Sequence, residues 1–186
     1  MLYTRKGDSG TTKTFGCDQR ISKSSAVAEA LGALDETNSF LGVCRSKSRK
    51  KSFKIGKREI IFAEIILEVQ QNLFIVQAEV AGAEMTILTE KISKVENVVD
   101  EIEKLLPPIK TFFISGATEL SANFDFARTL VRRAERRMVA AKEEGKIKVS
   151  PETLAYLNRL SSLLYALARI SNHIEGKEEI KPKYKI

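Results

Sequence analysis

Apolar residues recur at helical spacing in five segments of this 186-residue chain, and this pattern constrains the fold more than any other feature. The predicted helices begin near Ser24 or Ser25, Lys57, Glu90, Asn123 and Ser150. The second, which the spacing predicts to run to about residue 88, is apolar on most of its circumference. Such a helix belongs in the middle of a bundle or at a subunit interface. With no convincing strands, the sequence predicts an all-α five-helix bundle.

Length and composition indicate a single domain over residues 1–186, because 43% apolar content excludes wholesale disorder. The net charge of +7 is concentrated in residues 45–58, which hold eight basic residues and no acidic one. The rest of the chain is nearly balanced, so the charge does not indicate an extended nucleic-acid face. We predict that residues 45–58 form a solvated basic loop and that residues 177–186 form a loose charged tail.

The small number of cysteines and the lack of long apolar runs indicate the redox chemistry and the cellular location to expect. Cys17 and Cys44 are too few for a disulfide framework, and with one histidine they make a poor metal site. No apolar run opens the chain at residues 1–10, and polar residues interrupt the apolar region 60–83. We expect a cytoplasmic protein with no membrane span.

The predicted helix at Asn123–Arg137 places guanidinium groups beside its apolar stripe, where their fork geometry suits phosphate oxygens. Arg133 and Arg137 point towards the opposite side. A plainer interpretation is a basic surface helix held by ion pairs such as Arg132 with Glu135. The charged residues next to the stripe are Arg128, Arg132, Glu135 and, at its margin, Arg136.

Residues 3–14 read Tyr-Thr-Arg-Lys-Gly-Asp-Ser-Gly-Thr-Thr-Lys-Thr, with glycines, hydroxyls and cations but no periodicity. Such a segment can turn its backbone N–H groups and hydroxyls towards an anion. It lacks the spacing of a Walker A loop. The alternative is a flexible N-terminal arm.

Three further positions stand out. Asp35 lies next to the apolar stripe of the first helix, where a carboxylate usually has a cationic partner. Phe112 and Phe113 are adjacent aromatics outside any periodic segment, so they form either a plug in the core or the wall of a pocket.

Several kinds of chemistry are excluded. Di-iron bundles use Glu-x-x-His pairs, but the lone His173 is preceded at that spacing by Ile170. Nucleophilic triads fail for the same lack of histidines. His173 is therefore predicted to be a capping or surface residue, and the chemistry that remains is the handling of polyanions.

Four motifs carry a resemblance that runs nearly from end to end, and residues 70–74, Gln-Gln-Asn-Leu-Phe, add a fifth. Together they make the chain similar to the PduO-type ATP:cob(I)alamin adenosyltransferases. The four motifs are Tyr-Thr-Arg-Lys-Gly-Asp-Ser-Gly-Thr-Thr at 3–12, Ala-Leu-Asp-Glu-Thr-Asn-Ser-Phe-Leu-Gly at 33–42, Ala-Arg-Thr-Leu-Val-Arg-Arg-Ala-Glu-Arg at 127–136 and Tyr-Leu-Asn-Arg-Leu-Ser at 156–161.

The resemblance implies a homotrimer of ferritin-like five-helix bundles with sites between subunits. The implied reaction transfers the 5′-deoxyadenosyl group of ATP to the cobalt of cob(I)alamin and releases triphosphate. Asp35 and Arg128 match a pair that bridges the subunit interface in the family. Arg132 matches a position that holds the nucleotide. Phe112 matches an aromatic residue that crowds the lower face of the corrin. These four are the predicted catalytic residues.

ATP binding is implied mainly for residues 1–22. Magnesium would be held through the ATP phosphates and not by protein side chains. The implied partners are a cobalamin reductase and an adenosylcobalamin-dependent enzyme, with no nucleic acid and no membrane. The predicted ATP-binding residues are Thr4, Arg5, Lys6, Gly7, Asp8, Gly10, Thr11, Thr12, Lys13, Lys23, Arg132, Arg133, Glu135, Arg136 and Asn158.

Three positions depart from the family pattern. Ser115 and Ala117 replace a proline and a glycine in the loop after Phe112, which could reshape the corrin side. Asp125 stands where a histidine is common and could pair with Arg128. Two alternatives stay open: an ATP-binding bundle with a sensing role and no transfer, and a basic helical protein that binds nucleic acid.

Overall fold

The computed structural model describes residues 2–14 and 19–184 and contains a bundle of helices with two small hairpins. The predicted all-α bundle is confirmed, whereas the prediction that the chain has no strands is wrong. The strands pair antiparallel as β1 with β2 and β3 with β4. In chain order the elements are β1 (Thr11–Lys13), β2 (Arg20–Ser22), α1 (Ala26–Ser48), β3 (Ser52–Ile55), β4 (Arg58–Ile61), α2 (Phe62–Val80), α3 (Thr89–Glu103), α4 (Glu119–Glu143) and α5 (Pro151–Ile174).

Side-chain caps fix where three of the helices begin. Ser25 accepts a hydrogen bond from the backbone N–H of Ala28 at the start of α1. Ser150 caps α5, with Pro151 in the first turn, where a proline costs no hydrogen bond. Both starts were predicted. The N-cap of α4 is Thr118, in a reciprocal capping box with Ser121.

The helices pack in a fixed order around one core. α1 packs against α2 and α4, and α5 packs against α4 and α3. Ion pairs of Glu29 with Arg137 and of Lys47 with Glu119 show that α1 and α4 run antiparallel. Burial of one large apolar side chain contributes roughly 1.5–3 kcal/mol, so this core dominates the stability of the bundle. Fully buried members are Leu34, Leu41, Phe62, Ile66, Leu73, Phe124, Met138, Leu157 and Leu160.

The segment predicted as a basic loop is instead the end of α1 followed by the β3–β4 hairpin. Gly56 has φ +60° in the two-residue turn, where a side chain would be strained. Phe53 is buried on the hairpin, with its ring centroid 5.1 Å from that of Phe62. The β-branched Ile60 and Ile61 favour a strand, so α2 begins later than the helical spacing suggested.

The charged tail is anchored as far as it is described, contrary to the prediction that it is loose. The backbone N–H of Ile114 donates to the carbonyl of Ile180 (2.8 Å). Arg169 and Glu179 form an ion pair of 2.8 Å between α5 and the tail. Residues 185 and 186 lie outside the described part.

The single histidine lies at the surface and the described cysteine lies in the core. His173 is exposed in the last turn of α5, as predicted. Cys44 is buried, and burial raises the pKa of its thiol to about 12, so the unreactive thiol form dominates at neutral pH. Cys17 lies outside the described residues. Over residues 2–14 and 19–184, no helix combines the length and apolarity needed to cross a membrane.

Candidate active site

A pocket of about 510 Å³ lies between α4, α5 and the loop at residues 107–118. It brings together three of the four predicted catalytic residues. Phe112 is 79% exposed, so the structure favours the wall of a pocket over a plug in the core. Ser115, one of the departures from the family pattern, also lines the pocket. The lining includes Phe112, Asp125, Arg128, Arg132, Ser162 and Tyr165.

The arginines of α4 divide between its two edges, because successive residues turn by about 100° around the helix. Arg132 lies on the edge beside α5 and lines the pocket. Arg133 pairs with Glu36, and Arg137 lies 3.8 Å from Glu29, both on α1. Arg133, predicted to bind ATP, is thus on the opposite edge from Arg132.

Arg128 is held inside the pocket by two contacts. Its Nε donates to Oδ1 of Asp125 at 3.4 Å, a long bond that uses one of its five donors. Its guanidinium carbon lies 5.8 Å from the ring centroid of Tyr165. The pairing with Asp125 is the one that the departure at this position suggested.

Tyr165 is a pocket residue that the sequence analysis missed. Burial raises the pKa of its hydroxyl, an effect that the nearby Arg169 partly opposes, so the side chain is neutral at pH 7. The available signal was an aromatic residue next to the leucine stripe of the last helix. The contact of Tyr165 with Arg128 on α4 could not be predicted from the spacing of residues within one helix.

Asp35 does not meet Arg128 within the chain. Its side chain is exposed on α1 and makes no hydrogen bond or ion pair with any residue that the structure describes. The cationic partner expected for this carboxylate is therefore not found among residues 2–14 and 19–184 of its own chain.

The predicted nucleotide positions on α4 and α5 are neighbours. Asn158 Nδ2 donates to Glu135 Oε1 at 3.4 Å, which links the two helices. The ion pair suggested between Arg132 and Glu135 is not formed. Arg136 is exposed on the same helix, and neither it nor Arg132 has an ion pair within the described part of the chain.

The N-terminal segment is folded, and the alternative of a loose arm is wrong for residues 3–14. Arg20, which the sequence analysis missed, donates to Thr11 Oγ1 (2.7 Å) and to the carbonyls of Thr11 and Lys6. The backbone N–H of Lys23 donates to the carbonyl of Gly10 (3.0 Å).

Two predicted anion-binding positions lie side by side here. A Cβ atom placed on Gly7 would come 3.1 Å from Nζ of Lys23, so the lysine ammonium reaches the glycine backbone. Arg5 and Gly10 adopt left-handed backbone conformations, with φ of 58° and 77°. Thr4, Lys6, Asp8, Thr12 and Lys13 belong to the same folded segment.

The N-terminal segment and the Phe112 loop lie at different ends of the α1–α4 pair. Residues 2–14 and 19–22 lead into the start of α1, which lies beside Arg137 near the end of α4. The Phe112 loop leads into the start of α4, at Glu119. The N-terminal segment and the pocket beside Phe112 are therefore separated along the bundle within one chain.

No cluster of three metal-ligating side chains occurs in residues 2–14 and 19–184. A magnesium ion held through ATP phosphates needs no such cluster. Its presence stays a prediction.

The family model for cobalamin adenosyltransferases matches residues 2–171. The chain belongs to the cobalamin adenosyltransferase family. This confirms the resemblance read from the motifs. The corrinoid adenosyltransferase PduO of Citrobacter freundii is 36% identical over 189 residues, which cover 98% of this chain and 53% of that protein. The PduO of Salmonella typhimurium is 37% identical over 175 residues, covering 90% of this chain and 48% of the relative.

This family member thus spans about half the length of those two PduO relatives. A shorter relative is matched almost fully. The corrinoid adenosyltransferase of Bacillus subtilis is 33% identical over 190 residues, which cover 97% of this chain and 91% of the relative.

Solved structures of adenosyltransferases share the fold. A variant of the PduO-type ATP:corrinoid adenosyltransferase from Lactobacillus reuteri, complexed with cobalamin and ATP, superimposes with a TM-score of 0.86 at 27% identity, covering 98% of this chain and 97% of that one. A second variant, complexed with ATP, gives a TM-score of 0.84 at 26% identity, covering 98% and 100%.

Proposed function

We propose that this chain transfers the 5′-deoxyadenosyl group of ATP to the cobalt of cob(I)alamin and releases triphosphate. One observation carries the proposal: the pocket that gathers Phe112, Arg128 and Arg132 in a member of the cobalamin adenosyltransferase family. The L. reuteri relative that shares the fold was solved with both cobalamin and ATP.

The corrinoid would lie against Phe112 at the mouth of the pocket. An exposed aromatic ring in the lower axial position excludes water or a base from the cobalt. Cobalt(II) without that ligand is easier to reduce to cobalt(I), so Phe112 acts before the transfer step. Tyr165 and Arg128 form the wall behind it.

The transfer step needs no protein base, because cobalt(I) is itself a strong nucleophile. Its electron pair forms the cobalt–carbon bond to the 5′ carbon, and the carbon–oxygen bond breaks with its pair moving to triphosphate. Arg132, Arg136 and Lys23 would stabilise the charge that gathers on this leaving group. A magnesium ion bound to the phosphates would supply further positive charge.

We infer that the complete site forms between subunits of a homotrimer. Two observations support this: the N-terminal segment lies away from the Phe112 loop of its own chain, and Asp35 has no partner among the described residues. The N-terminal segment of one subunit would then complete the arginine edge of the next, and Asp35 would reach a neighbouring Arg128.

The proposed reaction also implies partner proteins. It consumes cobalt(I), so a cobalamin reductase must supply the electron, and an adenosylcobalamin-dependent enzyme must use the product. Both would act with this protein in the cytoplasm.

The proposal is tested by adding ATP, magnesium and protein to chemically reduced cobalamin in the dark, under anaerobic conditions. We expect the absorbance spectrum to change to that of adenosylcobalamin. ATP binding without this change would instead favour the bundle with a sensing role.

The nucleic-acid alternative is weakened by the structure. Lys47, Lys51 and Arg58 of the basic segment are engaged in ion pairs with Glu119, Glu175 and Glu101. Binding of DNA or RNA that falls steeply with rising salt, together with indifference to cobalamin, would revive it.

A further inference from the structure

Arg169 is a buried cation on α5 that the proposed reaction does not use. Its side chain is 5% exposed. Nε donates to Oε1 of Glu179 at 2.9 Å and Nη2 to Oε2 at 2.8 Å, a two-pronged ion pair with the C-terminal tail. Nη2 also donates to the carbonyl of Pro107 at 3.1 Å.

The same guanidinium supports the loop that carries Phe112. Its carbon lies 5.4 Å from the ring centroid of Phe113. Arg169 thus contacts the loop on both sides of Phe112, at Pro107 and at Phe113. The hydrogen bond from the N–H of Ile114 to the carbonyl of Ile180 joins the tail to the loop a second time.

Phe112 itself has little to hold it. It is 79% exposed, and the loop around it belongs to no helix or strand. A ring that must exclude water from one axial position needs a fixed backbone, because mispositioning by about 1 Å can cost a hundredfold in rate. The contacts that can fix this backbone come from Arg169 and the tail.

We propose that Arg169 is a positioning residue that, with Glu179, locks the tail onto the 107–118 loop and thereby holds Phe112 against the corrinoid. The proposal rests on the proposed function of Phe112. On this proposal, the charged tail contributes to the corrin side of the site by supporting the loop that carries Phe112.

The test compares Arg169→Lys and Glu179→Gln with the wild type. Lysine keeps the positive charge but cannot donate two parallel hydrogen bonds to the carboxylate. Glutamine removes the negative charge that pairs with the buried guanidinium. We expect a loss of about tenfold or more in the rate that starts from cobalt(II), and a higher KM for cobalamin. The KM for ATP and the rate with saturating pre-reduced cobalt(I) should not change. Arg58→Lys, in the ion pair of β4 with Glu101, is the matched control and should leave both rates unchanged.

A double variant decides whether Arg169 acts through Phe112. If it does, Arg169→Lys combined with Phe112→Ala is no slower than Phe112→Ala alone. The proposal would be overturned if the double variant lost as much rate as the product of the losses in the two single variants. So would a folded Arg169→Lys with wild-type activity from cobalt(II), or equal losses in every kinetic parameter.

A readout without catalysis separates this proposal from the proposed function. Hydrogen exchange at the Ile114 amide should accelerate in Glu179→Gln and Arg169→Lys but not in Arg58→Lys. Unchanged exchange would refute the lock even if the wild type makes adenosylcobalamin. If exchange accelerates in these variants but the wild type makes no adenosylcobalamin, the proposed function is refuted and the attachment of the tail to the loop by Arg169 and Glu179 is still supported.

Discussion

Arg132 and Arg137 lie on the same helix but face different neighbours. Arg137 Nη2 is 3.8 Å from Oε2 of Glu29 on α1, whereas Arg132 lines the pocket beside α5. The guanidinium of Arg137 therefore forms an ion pair between two helices of the bundle. The guanidinium of Arg132 is placed to meet a bound anion, which makes the two arginines a matched pair for mutation.

Arg132→Ala should lower kcat by about a hundredfold or more, equivalent to roughly 3 kcal/mol of lost stabilisation of the leaving triphosphate. Arg137→Ala removes the same charge from the other edge and should leave kcat close to that of the wild type. Steady-state kinetics at saturating ATP and cob(I)alamin measures both, and circular dichroism checks that both variants fold. Equal losses in the two variants would show that the edge beside α5 has no special role.

Asp35→Asn should weaken assembly and activity together, because the proposed ion pair with a neighbouring Arg128 is lost. Glu36→Gln is the control, since Glu36 pairs with Arg133 of its own chain. Analytical ultracentrifugation over a range of concentrations measures assembly. A trimeric, fully active Asp35→Asn would contradict the interface role.

Phe112→Ala should spare the reaction with pre-reduced cob(I)alamin and slow the reaction that starts from cobalt(II). Phe112→Leu keeps apolar bulk at the mouth of the pocket and should lie between alanine and the wild type. The two rates are measured with the same enzyme, by adding a chemical reductant before or after mixing. A comparable loss in both rates would show that Phe112 acts in the transfer step itself.

The helical bundle could be predicted from the sequence because apolar spacing is a local property, whereas the catalytic candidates came from the family resemblance and their roles stay predictions. Apolar spacing sets the helical stripes, and Ser25 and Ser150 mark two of their starts. The spacing of Arg128 and Arg132 places both on one face of α4, and the structure adds Phe112 to the same pocket.

What the sequence analysis missed depends on contacts between distant residues. Arg169 meets Pro107 and Glu179 only in the folded chain. Arg20 is recognisable as a support for the N-terminal segment only once β1 and β2 pair. The β3–β4 hairpin is difficult to predict because the basic residues around Phe53 and Ile55 are typical of a solvated loop.

Alkaline pH should destabilise the fold through Cys44. Burial raises the pKa of its thiol from 9.0 to about 12, so the folded state holds this proton more tightly than the unfolded state. The stabilisation is complete below about pH 9 and is lost as the pH rises towards the folded pKa. Between pH 8 and 10.5, the free energy of unfolding of Cys44→Ala should fall by about 2 kcal/mol less than that of the wild type.

Urea denaturation at the two pH values measures this difference. Buried Tyr156, whose hydroxyl pKa is also raised by burial, is present in both proteins and cancels. Parallel losses of stability in the wild type and Cys44→Ala would contradict the assignment to this thiol.

In the proposed reaction, the α4 edge beside α5 and the N-terminal segment bind a triphosphate as it leaves the 5′ carbon of ATP. The most direct measurement is the ratio of triphosphate to adenosylcobalamin formed by the wild type from cob(I)alamin and ATP, followed by phosphorus NMR and absorbance. We expect equimolar products, with both falling together in Arg132→Ala. Triphosphate formed without adenosylcobalamin, or adenosylcobalamin formed with a different phosphate product, would contradict it.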